Sequence, residues 1–586
     1  MRPARFVLIA ILCGFLASAL PAGPQERTSP TAGTGTLTKV ERIDPAPEPQ
    51  QSGLASITSR DSRILVTYLG CDLLEGREAG SRGYRLASDF AASLLALWGI
   101  EPAGDEEAGE GRGYFQDVVM KEYTDLGCAV EWWAGSPDGG TVRDFKEHAD
   151  LENYYLNRIP ETVSGPVVFA GYGLREATIG YDDFSGVEVK DKIVMILDEV
   201  PGAGDPASPF SGAELREKYR ASASWPGRLA KANAVAKLGP KAVLVVRNAL
   251  DGRDIYPEMG RVEDDERPII DEPTRLVVLP GTKRGGGAIC ITREMADAIL
   301  AAAGQSVESL KARIASRWRP VSFEIGGGTL TIRTTAGDER LLRCRNVIGA
   351  ITGSDPSLKE EAVVVGAHLD HLGKRGPHVF NGADDNASGA AGVLEIARAV
   401  AAQARKPKRT TVFCLWTGEE ESLLGSTHYV RHPIFPLSRT AAYLNLDMIG
   451  RTSDRGSWDS RLARLKIHPE VRTALDPGNF GAVAHAAGRG LGDILRAADR
   501  AVGLDLWQVE EAAPKSTGTV SDYLPFAQAG VPYVAWDGPR HADYHQTGDA
   551  AGKLDFEGMA KIVRLAYLTL AALADRQASP APTPAK

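Results

Sequence analysis

The side chains able to do chemistry are concentrated between His368 and Asp447. In order they read His368-Leu-Asp370, Gly382-Ala-Asp384-Asp385-Asn386-Ala-Ser-Gly389, Gly418-Glu419-Glu420 and Asn445-Leu-Asp447. One histidine and several carboxylates, with no cysteine among them, are the donors of a catalytic zinc site rather than a structural one. A second histidine is available further on, in Asp543-Tyr544-His545. Two metal ions a few ångströms apart need a bridging carboxylate, and the acidic pair in the glycine-rich turn is placed to supply it. Adjacent glutamates let one carboxylate bind metal while its neighbour stays free as a general base.

Each cluster falls at the end of an apolar run or in the turn after one: 363–365 before His368, 411–416 before the Glu pair, 441–446 before Asp447. Runs this short and this apolar read as buried strands of a largely parallel sheet. In open α/β sheets the ligand crevice lies beyond the strand carboxyl ends, so the four clusters should converge there. The run 387–404 reads as a helix with Val393, Ile396, Ala397 and Val400 on one face. Gly389 and two alanines let it start close to the acidic turn, with its amino end directing amides toward an anionic site. Strands over 346–352 and 531–536, a helix around 87–97 and a closing helix over 556–573 complete the pattern. The expected fold is α/β, a mixed, mostly parallel sheet flanked by helices.

The motifs HLD, GADDNASG, TGEEESLLGS, NLDMIG and DYHQTGD stand in the order found in the co-catalytic dizinc aminopeptidases. The chain resembles that family, of the aminopeptidase Y and glutamate carboxypeptidase II type. The resemblance implies two Zn2+ ions. His368 and Asp447 would complete one zinc site, Glu420 and His545 the other, and Asp385 would bridge both; Asp385 is preferred to Asp384 because the family's ligand directly precedes the Asn. It further implies Glu419 as general base, Asp370 as the group orienting His368, and Tyr544 as a candidate for steadying the oxyanion. A cis peptide at Asp385–Asn386 is implied as well. One departure is Ser422, where the family usually has glycine. The implied activity is removal of N-terminal residues from peptide substrates. Alternatives are a carboxypeptidase or glutaminyl cyclase on the same site, or a non-catalytic peptidase-like binding protein.

With 586 residues the chain is too long for one core. Residues 1–22 read as a signal peptide, with Arg2 and Arg5 before the apolar run 6–16, which implies a secreted or periplasmic protein with no stable membrane span after cleavage. The remaining expectations are a flexible linker over 23–53, a first catalytic segment over 54–118, the main catalytic segment over 319–576 and a disordered tail over 577–586. Between them, 119–318 resembles an inserted β-rich protease-associated domain, on the runs 165–173, 181–186, 192–197 and 242–246. The stretch 451–518 reads as loop-rich. A net charge of -9 argues against nucleic acid as a partner. None of the cysteines forms a CxxC pair; Cys414 reads as a buried core residue and Arg77 as part of a structural turn. His371 is set aside as a ligand, because adjacent side chains on a strand face opposite ways. His378 and His541 are candidates for touching substrate.

Overall fold

The computed structural model describes residues 26–28, 35–40 and 43–578, apart from 108, 110, 137–138, 148, 154–160, 220–224, 248–274, 283–287, 454–455, 457–479, 489 and 511–520. The signal expected over 1–22, Cys13 and the end of the tail lie outside these residues.

A twelve-stranded mixed sheet organises the chain. Its strands include β1 (Phe115–Thr124), β2 (Asp338–Ile351), β3 (Ala362–His368), β4 (Thr410–Trp416), β5 (Thr440–Asp447) and β6 (Tyr533–Asp537). Across the middle the order is β6, β5, β3, β4, β2, β1. The four central strands are parallel, whereas β2 runs antiparallel to both β4 and β1. The outermost strands are Glu26–Thr28 at one rim and Leu276–Val278 at the other.

Parallel strands covered on both faces need apolar side chains on both, and every residue of β3, β4, β5 and β6 is buried. The two-residue period sorts them between two cores. Val363, Val365, Phe413 and Leu415 pack with the helices α1 (Gly389–Ala401) and α3 (Phe556–Asp575). Val364, Val412, Cys414 and Trp416 pack on the opposite side with Tyr429 of α2 (Leu424–Arg431). Cys414 is thus a core residue, as its surroundings in sequence imply.

An eight-stranded sheet forms a second unit. A two-stranded ribbon joins it to the first. β1 turns at Asp125 into the strand Gly127–Ser136, and the strand Ser322–Thr335 runs back into β2. Pairing carries across, with Asp338 opposite Thr124 on one side of the turn and Thr335 opposite Gly127 on the other.

Four sequence expectations need correction. Ser322–Thr335 belongs to the second sheet, not the first, and its Ile325, Leu330 and Ile332 pack in the core of that unit. Leu276–Val278, inside the expected insert, pairs with β1 in the first sheet. The expected linker contributes a strand, Gly35–Val40, paired with Asp505–Glu510, and a helix, Glu48–Ser56, which is too polar to show periodicity. Finally, the stretch read as loops holds Phe480–Ala487, Leu491–Asp499 and Asp505–Glu510. The first of these, FGAVAHAA, hides a strand behind glycine and alanine, yet it pairs with β6. No helix among the described residues is long and apolar enough to cross a membrane.

Candidate metal centre

The sequence-predicted residues come together beyond the carboxyl ends of the central strands. His368 ends β3 and Asp447 ends β5. Glu419 and Glu420 follow β4 in a tight turn, Asp385 lies in the turn before α1, and His545 lies in the loop after β6. Asp385 is joined to Asn386 by a cis peptide bond.

Asp385 is the centre of the geometry. Its Oδ1 lies 3.3 Å from His368 Nε2, and Asp447 Oδ1 lies 3.4 Å from the same nitrogen. Its Oδ2 lies 3.1 Å from His545 Nε2, with Glu420 Oε2 at 3.2 Å. These separations are close to the edges of a tetrahedron with bonds of ~2.0–2.2 Å, for which adjacent donors stand about 3.3–3.6 Å apart. Asp447 Oδ1 and His545 Nε2 are buried without a hydrogen-bond partner. An orphaned acceptor and an orphaned donor in one oxygen- and imidazole-rich cage fit a small divalent cation.

Glu419 stands apart from the other acids. Its Oε2 is 4.0 Å from His368 Nε2, and it lines a cavity with Asp385, Asp447, Tyr523, Arg540 and Tyr544. Its amide donates to Asp370 Oδ1 at 3.2 Å. Asp370 meets His368 through its backbone oxygen, 3.1 Å from Nδ1, while its carboxylate is 3.9 Å away. Asp370 therefore holds both the histidine and the Glu turn. Tyr544 stacks on His545, with ring centroids 3.9 Å apart.

The surroundings fix the acidic turn. Asp549 accepts from the amides of Asp384 and Asp385, each at 3.0 Å. Asp384 faces away from the cage, accepting from Gly450 N at 2.6 Å and lying 3.2 Å from His541 Nε2. The neighbouring acids thus do different work, and His541 belongs to this support rather than to the cavity. Arg77 spends its guanidinium on the backbone oxygens of Leu369, Asn381 and Gly382. His378 lies in a short strand, His378–Phe380, paired with Gly373–Arg375.

Sequence reasoning missed His371. It is buried with Nδ1 2.6 Å from Glu420 Oε1 and 4.0 Å from Asp385 Oδ2. Strand alternation does not govern it, because β3 ends at His368. The available signal was the second histidine of His368-Leu-Asp-His371.

Electrostatics separate the two glutamates. Burial pushes the Glu419 carboxyl well above its usual range, against the pull of His368. Burial acts on Glu420 too, but His545 and His371 outweigh it and hold that carboxyl down to about 2. Burial disfavours charge on His545, yet Glu420 and Asp385 raise its imidazole to about 10. A cage that binds protons this firmly binds a cation at the same atoms, and the two compete.

Residues 346–570 match peptidase family M28. The motif resemblance to that class of peptidase holds, and all five motifs fall inside the matched M28 segment. The chain is similar to "Probable glutamate carboxypeptidase VP8" of Zea mays, 28% identical over 243 residues, covering 40% of this chain and 30% of that protein. It is also similar to "Leupeptin-inactivating enzyme 1" of Streptomyces exfoliatus, 37% identical over 106 residues, covering 18% and 22%. Among solved structures, an aminopeptidase from Aneurinibacillus sp. strain AM-1 aligns over 92% of this chain and 98% of its own, at 17% identity and a TM-score of 0.48. The chain spans less than a third of the length of the curated relatives it first matches.

Proposed function

We propose that the protein is a secreted zinc-dependent metallopeptidase, an aminopeptidase that holds two Zn2+ ions. One observation carries this reading: the two oxygens of Asp385 each face a different imidazole, His368 at 3.3 Å and His545 at 3.1 Å. His368, Asp447 and Asp385 would hold one ion, and His545, Glu420 and Asp385 the other. Bound there, such ions supply Lewis acidity and acidify nearby water. Glu419 takes the proton of the attacking water as oxygen adds to the scissile carbonyl carbon. It returns that proton to the amine as the C–N bond breaks. A carboxyl raised by burial is suited to both transfers. The Tyr544 hydroxyl donates to the oxyanion. Asp370 keeps Glu419 and His368 in register. The eight-stranded unit is the protease-associated insert, and the charged and apolar run at the amino terminus is the export signal.

A second reading, a carboxypeptidase, draws support from Arg540 in the cavity wall, a cation suited to a substrate carboxylate. Leucine p-nitroanilide and its N-acetylated form distinguish the two. An aminopeptidase loses activity on acetylation and on chelation. Activity that survives N-acetylation but fails on C-terminally amidated peptides would favour the carboxypeptidase. Two zinc ions per chain are expected; one would point to a cyclase and none to a binding protein.

A further inference from the structure

The turn that carries Glu419 and Glu420 is strained. Ser422 and Leu423 have φ of 81° and 62°, a left-handed region unfavourable for a residue with a side chain. Their amides donate to Glu419 O at 2.8 and 2.9 Å, closing the backbone. A turn that must hold two neighbouring glutamates to different tasks needs a fixed backbone. The third, Glu421, is turned away from the metal cage. Its Oε1 lies 3.2 Å from Arg275 Nη2.

Arg275 faces two more carboxylates, with Nε 2.9 Å from Glu122 Oε1 and Nη1 paired to Glu78. Arg340 on Glu122 and Arg375 on Glu78 bring the network to three acids and three bases. The same segment grips the turn a second time. Val277 and Leu279, just after Arg275, share a small core with Leu424, the first residue of α2. Arg275 thus comes from between the two crossings of the ribbon, yet it acts on the turn of the first sheet.

We propose that Arg275 is a positioning residue. By pinning Glu421 on the outer side of the turn, it keeps Glu419 directed at the cavity and Glu420 at His545. A planar fork meets three carboxylates at once, which an ammonium does not. The proposal deepens the peptidase reading, and only its kinetic arm rests on that reading.

The test uses the full chain with Arg275→Met, Arg275→Lys, Glu421→Gln, the double variant Arg275→Met/Glu421→Gln and, as control, Arg340→Met. Hydrogen–deuterium exchange is followed in peptides covering 417–425. Arg275→Met is expected to speed exchange there by about tenfold or more, leaving 362–368 unchanged, while Arg340→Met leaves both unchanged. On leucine p-nitroanilide, Arg275→Met should lower kcat about tenfold or more with KM within about threefold, as expected for misplaced groups. Arg275→Lys should recover only part of that loss. Glu421→Gln should behave like Arg275→Met, and the double variant no worse than either. Unchanged exchange at 417–425, losses shared equally by Arg340→Met, or additive effects in the double variant would overturn the proposal. Should Arg275→Met not fold, Glu421→Gln carries the same criteria. A wild-type chain without peptidase activity would defeat the functional reading, and the exchange data would still decide the clamp.

Discussion

Glu419 and Glu420 are consecutive in the chain and share one turn, yet their surroundings drive them apart. Glu420 meets two imidazoles and stays ionised, while Glu419 faces the cavity, where burial favours its protonated form. That division suits a ligand beside a proton carrier. Glu419→Gln should therefore cut kcat by about 10²–10⁴-fold with zinc content unchanged by elemental analysis; loss of metal would instead assign Glu419 as a ligand. His371 fixes the other oxygen of Glu420, 2.6 Å away. His371→Ala should weaken zinc retention about 10–100-fold in competition with a chelator. The proposed ligands His368, Glu420 and Asp447 were legible because each sits in a short motif after an apolar run, and Asp385 and His545 because their motifs match those of the family. His371 was not, since its use depends on where β3 stops, and strand ends are set by backbone pairing that residue types alone do not display.

At the level of elements, α1 buries an acid. Glu395 accepts from Thr58 N at 3.2 Å and from the Ser62 hydroxyl, and burial raises its carboxyl from 4.5 to about 7. Between those values the folded chain keeps a proton that the unfolded chain has lost. This group's contribution to stability therefore declines as pH rises through that window and levels off above it. Glu395→Gln removes the titration, so its melting temperature should gain on the wild type as pH rises from 4.5 to about 7, by about 1 °C per kcal/mol recovered in a chain of this length. The central strands were readable because parallel strands buried on both faces are apolar throughout. Phe480–Ala487 and Glu48–Ser56 were not: small residues in one and polar residues in the other leave no periodic contrast, and both are fixed by partners distant in sequence.

For the whole molecule, the ribbon formed by β1, β2 and their continuations means that the second unit leaves and returns at one place. Joining Thr124 to Asp338 through an Asn-Gly turn would preserve the pairing of β1 with β2. It would also delete Arg275 and Leu276–Val278, uncovering Met120 and Leu424. The shortened chain is expected to keep native-like circular dichroism and bound zinc while losing about tenfold or more in kcat. Equal activity in the shortened and full-length proteins would show that the second unit contributes nothing to turnover.

The described rims of the large sheet, Glu26–Thr28 and Leu276–Val278, are three residues each. At Leu276–Val278 an incoming chain finds only three residues of strand on which to zip, so that margin of a wide sheet is guarded by its brevity.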